Sequence, residues 1–270
     1  MTEEKVSAIV LSSRDYKEKD KLVDIFCLES GVRTVVLKGV KNSNAKFKFA
    51  KEPFCFGEFI LTGNNEIKTV TQVNLIDTFF DITKDFSKFS IGCKILTLIK
   101  VFLEKLDNNS SLFVETLKAL RELAYSSISE KMILASYVLK AFSHVGYRLN
   151  DTVCSNCSSN FIGNCFLNLE DAELVCLNCR KYLSVEVDKP THNAIRILSN
   201  TELESMNTVS IDDKVVENVL KVLQLIIQNR FSNKISILKM WKFYQKRRRF
   251  VCLFFCDYLN LSSVFLTKEI

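Results

Sequence analysis

The sequence contains very little glycine and proline. Seven glycines and two prolines occur in 270 residues, far below the roughly 12% that the two residues contribute to average proteins. This scarcity excludes collagen-like chains and disordered chains rich in these residues. The glycines never occur at G-x-G-x-x-G spacing, and none precedes a Lys-Ser or Lys-Thr pair. Because the loops that bind nucleotide phosphates need such patterns, many classes of nucleotide-binding enzyme are excluded.

Export and membrane signals are also missing. The N-terminus carries Glu3 and Glu4, where a signal peptide has lysines followed by a long apolar stretch. The longest apolar run, residues 250–256, is far too short to cross a bilayer. We therefore expect a cytoplasmic protein. In that compartment, the ten cysteines are expected to be buried thiols or metal ligands rather than disulfides.

Catalytic signatures are scarce. Only two histidines occur, His144 and His192. Neither lies in the His-x-Glu pattern of a zinc deaminase or in the H-E-x-x-H motif of a metalloprotease. No carboxylate pair and no pairing of a nucleophile with a base stands out. We therefore expect both histidines to be surface or core residues, and we expect no catalytic residue and no enzyme.

The hydrophobic pattern changes from β to helical near residue 80. Before that point, five short runs are rich in β-branched and aromatic residues, and they cover residues 6–11, 22–28, 33–37, 54–61 and 67–75. Long connections after the first and third runs favour a small barrel over a sandwich, although a half-open sheet fits the same pattern. The sequence therefore predicts an α+β chain that begins with a five-stranded barrel.

Beyond residue 85, apolar residues recur at three- and four-residue steps, which is typical of helices. Ser127 and Glu130 match a capping box, and Gly146 lies where a helix would end. A loop-rich segment, residues 150–187, interrupts the helical pattern. The predicted helices are 86–103, 111–125, 132–145, one that opens at Pro190, and 213–230.

The strongest chemical signal is a pair of C-x-x-C motifs, formed by Cys154 and Cys157 and by Cys176 and Cys179. Two intervening residues let both thiolates of a motif face one metal, and two such turns complete a tetrahedron around Zn²⁺. The separation of the motifs is typical of a four-cysteine zinc site. A redox motif and two local disulfides are the alternatives. We predict one structural zinc ion without an open coordination position, and we expect Cys165 to be an ordinary thiol.

A second signal is a lysine-rich stretch without any acidic residue, residues 38–51. Lysines clustered on a loop of a small barrel favour contact with nucleic-acid phosphates. Phe47 and Phe49 either stack on bases or belong to the core, and a solvated basic loop is the alternative for the whole stretch. The predicted DNA-binding lysines are Lys38, Lys41, Lys46, Lys48 and Lys51.

A third signal lies near the C-terminus, in residues 239–249, which combine basic and aromatic residues without an acid. Such a segment binds nucleic acid, an anionic lipid surface or the acidic tail of a partner protein, and a solvated helix end is the remaining alternative. The basic residues are Lys239, Lys242, Lys246, Arg247, Arg248 and Arg249.

Taken in order along the chain, these motifs resemble the RecO family of bacterial DNA-repair recombination mediators. The resemblance covers roughly residues 1–240, and it is the order of the motifs rather than any single one that is specific. It rests on residues 9–11, 16–20, 22–26, 29–31, 38–41, 52–54 and 139–146 and on the four cysteines of the two C-x-x-C motifs. The family usually ends soon after a segment that corresponds to residues 233–239, whereas this chain continues to Ile270.

The resemblance implies a domain organisation. It implies a DNA-binding OB-fold over residues 1–80, a helical domain in two parts, 81–149 and 188–240, and a zinc-binding module inserted at 150–187. Residues 241–270 form an extension to which the resemblance assigns no role.

The resemblance also implies a function. It implies binding to single- and double-stranded DNA, annealing of complementary strands, and cooperation with RecR, RecA and single-strand-binding protein in RecF-type repair. These events would take place in the bacterial cytoplasm, at the nucleoid when the protein is active. The competing hypothesis is a zinc-stabilised interaction protein or transcription factor without annealing activity.

Overall fold

A computed structural model describes residues 3–42, 44–103, 110–147, 149 and 152–230. Contacts divide these residues into two compact units. The first unit holds residues 3–80 and 110–113, and the second holds the remaining described residues. The architecture is α+β, as the sequence predicts.

Five strands of the first unit form a closed, OB-like barrel with the order β1-β2-β3-β5-β4. Neighbouring strands are antiparallel, except that β3 and β5 run parallel and share one paired position, Val36 opposite Thr69. The closure removes the half-open sheet as an alternative. The strands are β1 (Glu3–Tyr16), β2 (Asp20–Cys27), β3 (Gly31–Leu37), β4 (Phe56–Thr62) and β5 (Thr69–Asp77).

Alternate residues of the strands fill the interior of the barrel. Val23 and Ile25 of β2 and Phe59 and Leu61 of β4 belong to one fully buried apolar cluster. Because successive side chains of a strand point to opposite faces, this alternation follows directly from the sequence pattern. The barrel therefore has an apolar core of its own.

The first strand is longer than predicted. Its apolar run ends at Leu11, yet the strand continues to Tyr16. Asp24 of β2 accepts a hydrogen bond from the Ser12 hydroxyl at 3.1 Å and forms an ion pair with Arg14 at 3.2 Å, so the polar residues find partners within the sheet. The long connection predicted after the first strand is therefore wrong, because only residues 17–19 separate β1 from β2. The long connection after β3 is confirmed, and it includes a 3₁₀ turn, Lys48–Lys51.

Helices make up most of the second unit. Helix α4 is buried on nearly all sides and packs against α2, α5 and α6, which is typical of a central helix. Within it, the Tyr137 hydroxyl lies 3.2 Å from the Thr116 hydroxyl of α3. The helices are α1 (Phe80–Lys84), α2 (Phe86–Leu103), α3 (Ser110–Tyr125), α4 (Glu130–His144), α5 (Lys189–Asn200) and α6 (Asp213–Arg230), and a 3₁₀ segment, Leu203–Thr208, precedes α6.

Two of the three predicted helix-end signals are confirmed. Gly146, at φ +86°, follows α4, and the N–H of Tyr147 donates to the Phe142 carbonyl at 2.9 Å, which is the closing bond of a Schellman motif. Pro190 lies in the first turn of α5, whose N-cap is Asp188. The capping box is wrong: Ser129 is the N-cap of α4, and no side chain caps this end.

A small three-stranded antiparallel sheet lies between α4 and α5 along the chain. Its order is β7-β6-β8, with β6 (Cys165–Asn168) in the centre, β7 (Glu173–Val175) on one side and β8 (Ser184–Val187) on the other. A 3₁₀ turn, Leu177–Cys179, follows β7. The segment predicted to be loop-rich therefore contains a compact sheet.

Candidate metal centre and nucleic-acid interface

The sulfur atoms of Cys154, Cys157, Cys176 and Cys179 converge. All four lie within 4.8 Å of one another, and the sulfurs of Cys157 and Cys176 are 3.8 Å apart. A tetrahedral ion with Zn–S bonds of about 2.3 Å holds its sulfurs about 3.8 Å apart. The four thiols therefore lie close enough together to hold one metal ion.

Backbone turns place these cysteines. The N–H of Ser158 donates to the Cys154 carbonyl at 2.9 Å and closes a turn around the first motif. Ser155 donates both its N–H and its hydroxyl to the Leu174 carbonyl at 3.1 Å, which ties this turn to β7. Because Cys176 directly follows β7, the same contact brings the second motif to the first.

The thiols strongly influence one another. A hydrogen bond with the Ser159 hydroxyl lowers the pKa of Cys157 to about 6. A hydrogen bond with Asn156 lowers the pKa of Cys179, but the neighbouring sulfurs of Cys157 and Cys176 raise it to about 11. Four thiolates at these distances repel one another, and a divalent cation compensates that repulsion.

One alternative considered for the cysteines, a pair of local disulfides, does not fit. All eight cysteines in the described part of the chain are free, so neither motif is a local disulfide. Cys165 is buried, and its thiol points at the Val187 carbonyl, 3.8 Å away. Burial raises the pKa of Cys165 to about 12. It is therefore an ordinary buried thiol, as expected.

The core around the four cysteines is very small. Among the described residues, its buried cluster consists of Cys154, Phe166 and Val175, with Phe161 packed against them. The ring of Phe161 meets the ring of His192 edge-on, with 5.2 Å between centroids. His192 is thus a buried packing residue that connects α5 to residues 152–187, which we call the cysteine module.

The lysines of residues 38–51 divide into two groups. Lys41 forms an ion pair with Asp15 at 3.3 Å, and Lys51 forms one with Glu52 at 3.7 Å. The other three are exposed and form no ion pair with the residues that the structure describes. They are Lys38, Lys46 and Lys48.

The fold adds two lysines that the sequence analysis missed. The N–H of Lys41 donates to the Lys19 carbonyl at 3.1 Å, and its ammonium group reaches the Lys17 carbonyl at 3.4 Å. The turn between β1 and β2 therefore lies beside the lysine-rich loop. Lys17 and Lys19 are exposed, but they alternate with Glu18 and Asp20, so a search for acid-free stretches passes over them.

Two nearby carboxylates, Asp15 and Asp20, have hydrogen-bond partners of their own. Hydrogen bonds from Lys21, at 3.0 Å, and from Lys41 lower the pKa of Asp15. Asp20 accepts a hydrogen bond from the N–H of Gly39 at 2.8 Å. Glu18 is also exposed, but the five exposed lysines outnumber it, so the net exposed charge is positive. We call its source the lysine surface, which consists of Lys17, Lys19, Lys38, Lys46 and Lys48.

The two phenylalanines of this loop are half-buried. Both Phe47 and Phe49 pack against the barrel core, and their rings meet edge-on with 6.4 Å between centroids. Core packing thus accounts for part of each ring.

The predicted basic segment 239–249 lies outside the described residues. Its members, Lys239, Lys242, Lys246, Arg247, Arg248 and Arg249, remain candidates from sequence only.

Two family models match this chain. The model described as "Recombination protein O N terminal" matches residues 1–79, and the model described as "Recombination protein O C terminal" matches residues 83–236. The chain belongs to the RecO family. The first RecO match covers the strands of the barrel, and the second covers the helices and the cysteine module, while residues 237–270 lie outside both.

Curated RecO proteins are similar to this chain over nearly their whole length. A protein named "DNA repair protein RecO" from Clostridium novyi is 26% identical over 242 residues, which cover 90% of this chain and 94% of that protein. The protein of the same name from Clostridium perfringens strain 13 is 27% identical over 238 residues, covering 88% and 97%. One from Desulforamulus reducens is 24% identical over 235 residues, covering 86% and 91%.

Family membership confirms the resemblance seen in the motifs and supports a role in DNA repair for this chain. The four-cysteine cluster is compatible with zinc. In the described part of the chain, no helix has the length and apolar character needed to span a bilayer. The predicted domain boundaries and the assignment of individual DNA-contacting lysines stay predictions.

Proposed function

We propose that this chain is a non-enzymatic, DNA-binding mediator of recombinational repair. It binds single- and double-stranded DNA, anneals complementary strands and helps to load the recombinase RecA onto strands coated by single-strand-binding protein, in cooperation with RecR. The observation that carries this proposal is the lysine surface, where two adjacent loops of an OB-like barrel carry exposed lysines.

Charge on a barrel rim suits a protein that anneals strands. Two DNA strands repel each other, so an annealing protein must neutralise phosphates while it leaves base edges free to pair. Lysines contact phosphates as point charges and read no sequence. A lysine surface therefore favours binding without sequence preference, as OB-folds that track a strand do.

The cysteine module has a different role in this proposal. We assign Cys154, Cys157, Cys176 and Cys179 as the ligands of one structural Zn²⁺. Four sulfur ligands in tetrahedral positions match zinc chemistry, and a closed set of protein ligands leaves no position for water or substrate. The metal therefore stabilises the module and takes no part in catalysis.

The proposal is tested by replacing Lys38, Lys46 and Lys48 together with glutamine. At about 0.15 M salt, the loss of three phosphate contacts should weaken binding to single strands roughly 10- to 50-fold, and annealing of bare complementary oligonucleotides should slow with it. Fluorescence anisotropy measures the binding, and the quenching of a dye pair measures the annealing.

The control variant replaces Lys189, Lys214 and Lys221, which are exposed in the second unit, with glutamine. It removes the same net charge and should retain binding and annealing. Equal losses in the two variants would indicate a general charge effect. Full activity of the first variant would remove the lysine surface from the function and would favour an interaction protein or transcription factor that does not anneal DNA.

A further inference from the structure

A cavity of about 350 Å³ opens beneath the lysine-rich loop of the barrel. Its apolar lining includes Val40, Phe47 and Val70, and its polar lining includes Lys38, Lys46 and Asn42. Both lysines belong to the lysine surface. The cavity is therefore an apolar recess within the surface that faces phosphates.

Hydrogen bonds of the loop hold the wall of this cavity. Gly39 has φ +63°, a conformation that favours glycine, and its carbonyl accepts from the N–H of Asn42 at 3.1 Å. The Asn42 carbonyl accepts in turn from the N–H of Ala45 at 3.2 Å. Gly39 is also tied to Asp20, in the neighbouring loop, at 2.8 Å. The loop is thus folded back on itself by successive turns, which shape the cavity from within the chain.

The lining fits one chemical class of ligand. Apolar groups next to two ammonium groups suit a flat apolar ring attached to anions on both sides, which is the chemistry of a nucleobase within a strand. The volume lies near the lower limit of the roughly 300–1,000 Å³ of small-molecule sites, and so suits a single base. The Asn42 amide adds both a donor and an acceptor for the edge of a base.

The two phenylalanines of the lysine-rich loop, Phe47 and Phe49, differ in their access to the cavity. Both are half-buried and pack on the same barrel core, but among the described residues only Phe47 lines the cavity. Aromatic rings are the usual stacking surfaces for bases in proteins that bind single strands. Phe49 lacks this access and matches Phe47 in residue type, burial and core contact.

We propose that this cavity takes one unstacked base of a bound DNA strand, with Phe47 as the stacking face and Lys38 and Lys46 on the flanking phosphates. This assignment rests on the proposed function of the lysine surface. In this binding mode, the affinity for DNA depends on contact with a base as well as on contacts with phosphates. Because one base per barrel is held, the remaining bases of the strand stay free to pair.

The test compares two probes on the full chain: an oligothymidylate of about twelve nucleotides, within the site size of an OB-fold, and an abasic strand of the same length and charge. The unmodified protein should bind the oligothymidylate about 5- to 20-fold more tightly, which is the range expected for one stacked base. Phe47→Leu should reduce this ratio to near one, whereas Phe49→Leu should preserve it.

A second measurement protects the test against a variant that fails to fold. An oligonucleotide carrying 2-aminopurine should lose fluorescence when it binds the unmodified protein, since stacking on a ring quenches this base. Circular dichroism then shows whether each variant is folded. If Phe47→Leu is not folded, two measurements on the unmodified protein test the proposal: the affinity for the oligothymidylate relative to the abasic strand, and the quenching of 2-aminopurine.

The outcomes separate the two proposals. Equal, salt-sensitive binding of both probes by the unmodified protein would overturn the base-binding cavity and leave the lysine surface intact. A loss of probe discrimination in folded Phe49→Leu as large as in Phe47→Leu would also overturn it, because the effect would then be one of core packing. Absence of binding to either probe would overturn the proposed function itself.

Discussion

The barrel and the cysteine module are stabilised in opposite ways. The barrel buries a continuous apolar cluster that includes Val23, Ile25 and Phe59, whereas the buried cluster beside the four sulfurs consists of Cys154, Phe166 and Val175. A few further apolar side chains of the module are also buried, among them Leu167, Leu174 and Val187. Burial of apolar area supplies most of the free energy of folding, and a segment of fewer than about 40 residues usually needs a metal or disulfides in addition. The comparison implies that the barrel is stable through its core and the module through its metal.

Removal of the metal should give the largest effect. Structural zinc contributes roughly 10–16 kcal/mol of binding free energy in zinc-finger peptides, far more than the apolar contacts of the module offer. We expect Cys176→Ser to lose the bound zinc and to unfold residues 152–187. Metal analysis and hydrogen exchange check both effects, and DNA affinity should change less than about threefold because the lysine surface belongs to the other unit.

Cys165→Ala is the matched control for that experiment, because it removes a buried thiol of the same module that is not a ligand. It should retain one zinc per chain. A zinc-free preparation of the unmodified protein, made without chelators and with the module protected from exchange, would contradict the account of the module.

A large-to-small change in the barrel core should give the next largest effect. Phe59 is fully buried, and loss of a buried phenylalanine side chain costs about 3–5 kcal/mol in the free energy of unfolding. We expect Phe59→Ala to lower the denaturant midpoint of the barrel without loss of zinc. Ile60→Ala, one residue along on the opposite face, should cost less. If Phe59→Ala also lost zinc, the stability of the cysteine module would depend on that of the barrel, and the comparison would fail.

The smallest effect concerns the seam of the barrel. Between β3 and β5 only Val36 and Thr69 pair, and Glu4 of β1 forms ion pairs with Arg33 of β3, at 2.8 Å, and with Lys68, which precedes β5. Hydrogen bonds from Lys68 and Arg33 lower the pKa of Glu4 below its ordinary value of 4.5. We expect Glu4→Gln to cost less than about 1 kcal/mol at neutral pH, because ion pairs this exposed contribute little.

The effect of Glu4→Gln on the free energy of unfolding depends on pH. A carboxylate whose pKa is lowered in the folded state stabilises the fold above its unfolded pKa, and the contribution disappears as pH falls through the folded pKa. The difference between the unmodified protein and Glu4→Gln should therefore shrink below about pH 4. Glu66→Gln, in the exposed turn between β4 and β5, serves as the control, because it removes a carboxylate that forms no ion pair with the residues that the structure describes. A constant difference from pH 7 to pH 3 would contradict the role of the Glu4 charge.

The features that the sequence predicted correctly are local. The spacing of Cys154, Cys157, Cys176 and Cys179 indicates that their thiols converge, as the structure shows, and alternation within each strand is visible in a few neighbouring residues. The features that it missed depend on distant contacts. Ser12 and Arg14 look like turn residues until the pairing of β1 with β2 places Asp24 opposite Ser12 and within reach of Arg14.

The lysine surface shows the same limit. The acid-free stretch 38–51 is visible in the sequence. Only the folded barrel shows that Lys41 forms an ion pair with Asp15 and that Lys17 and Lys19 lie beside this stretch. Phe47 and Phe49 are likewise equivalent in the sequence, and the cavity distinguishes them.

The dependence of DNA affinity on salt tests the central claim most directly. If the lysine surface contacts phosphates, the joint replacement of Lys38, Lys46 and Lys48 with glutamine should flatten the plot of log K against log salt on single strands by about 0.7 per lysine, and so by about 2 in all. The Lys189, Lys214 and Lys221 control should keep the slope of the unmodified protein. An unchanged slope in the first variant would contradict the claim that this surface binds DNA.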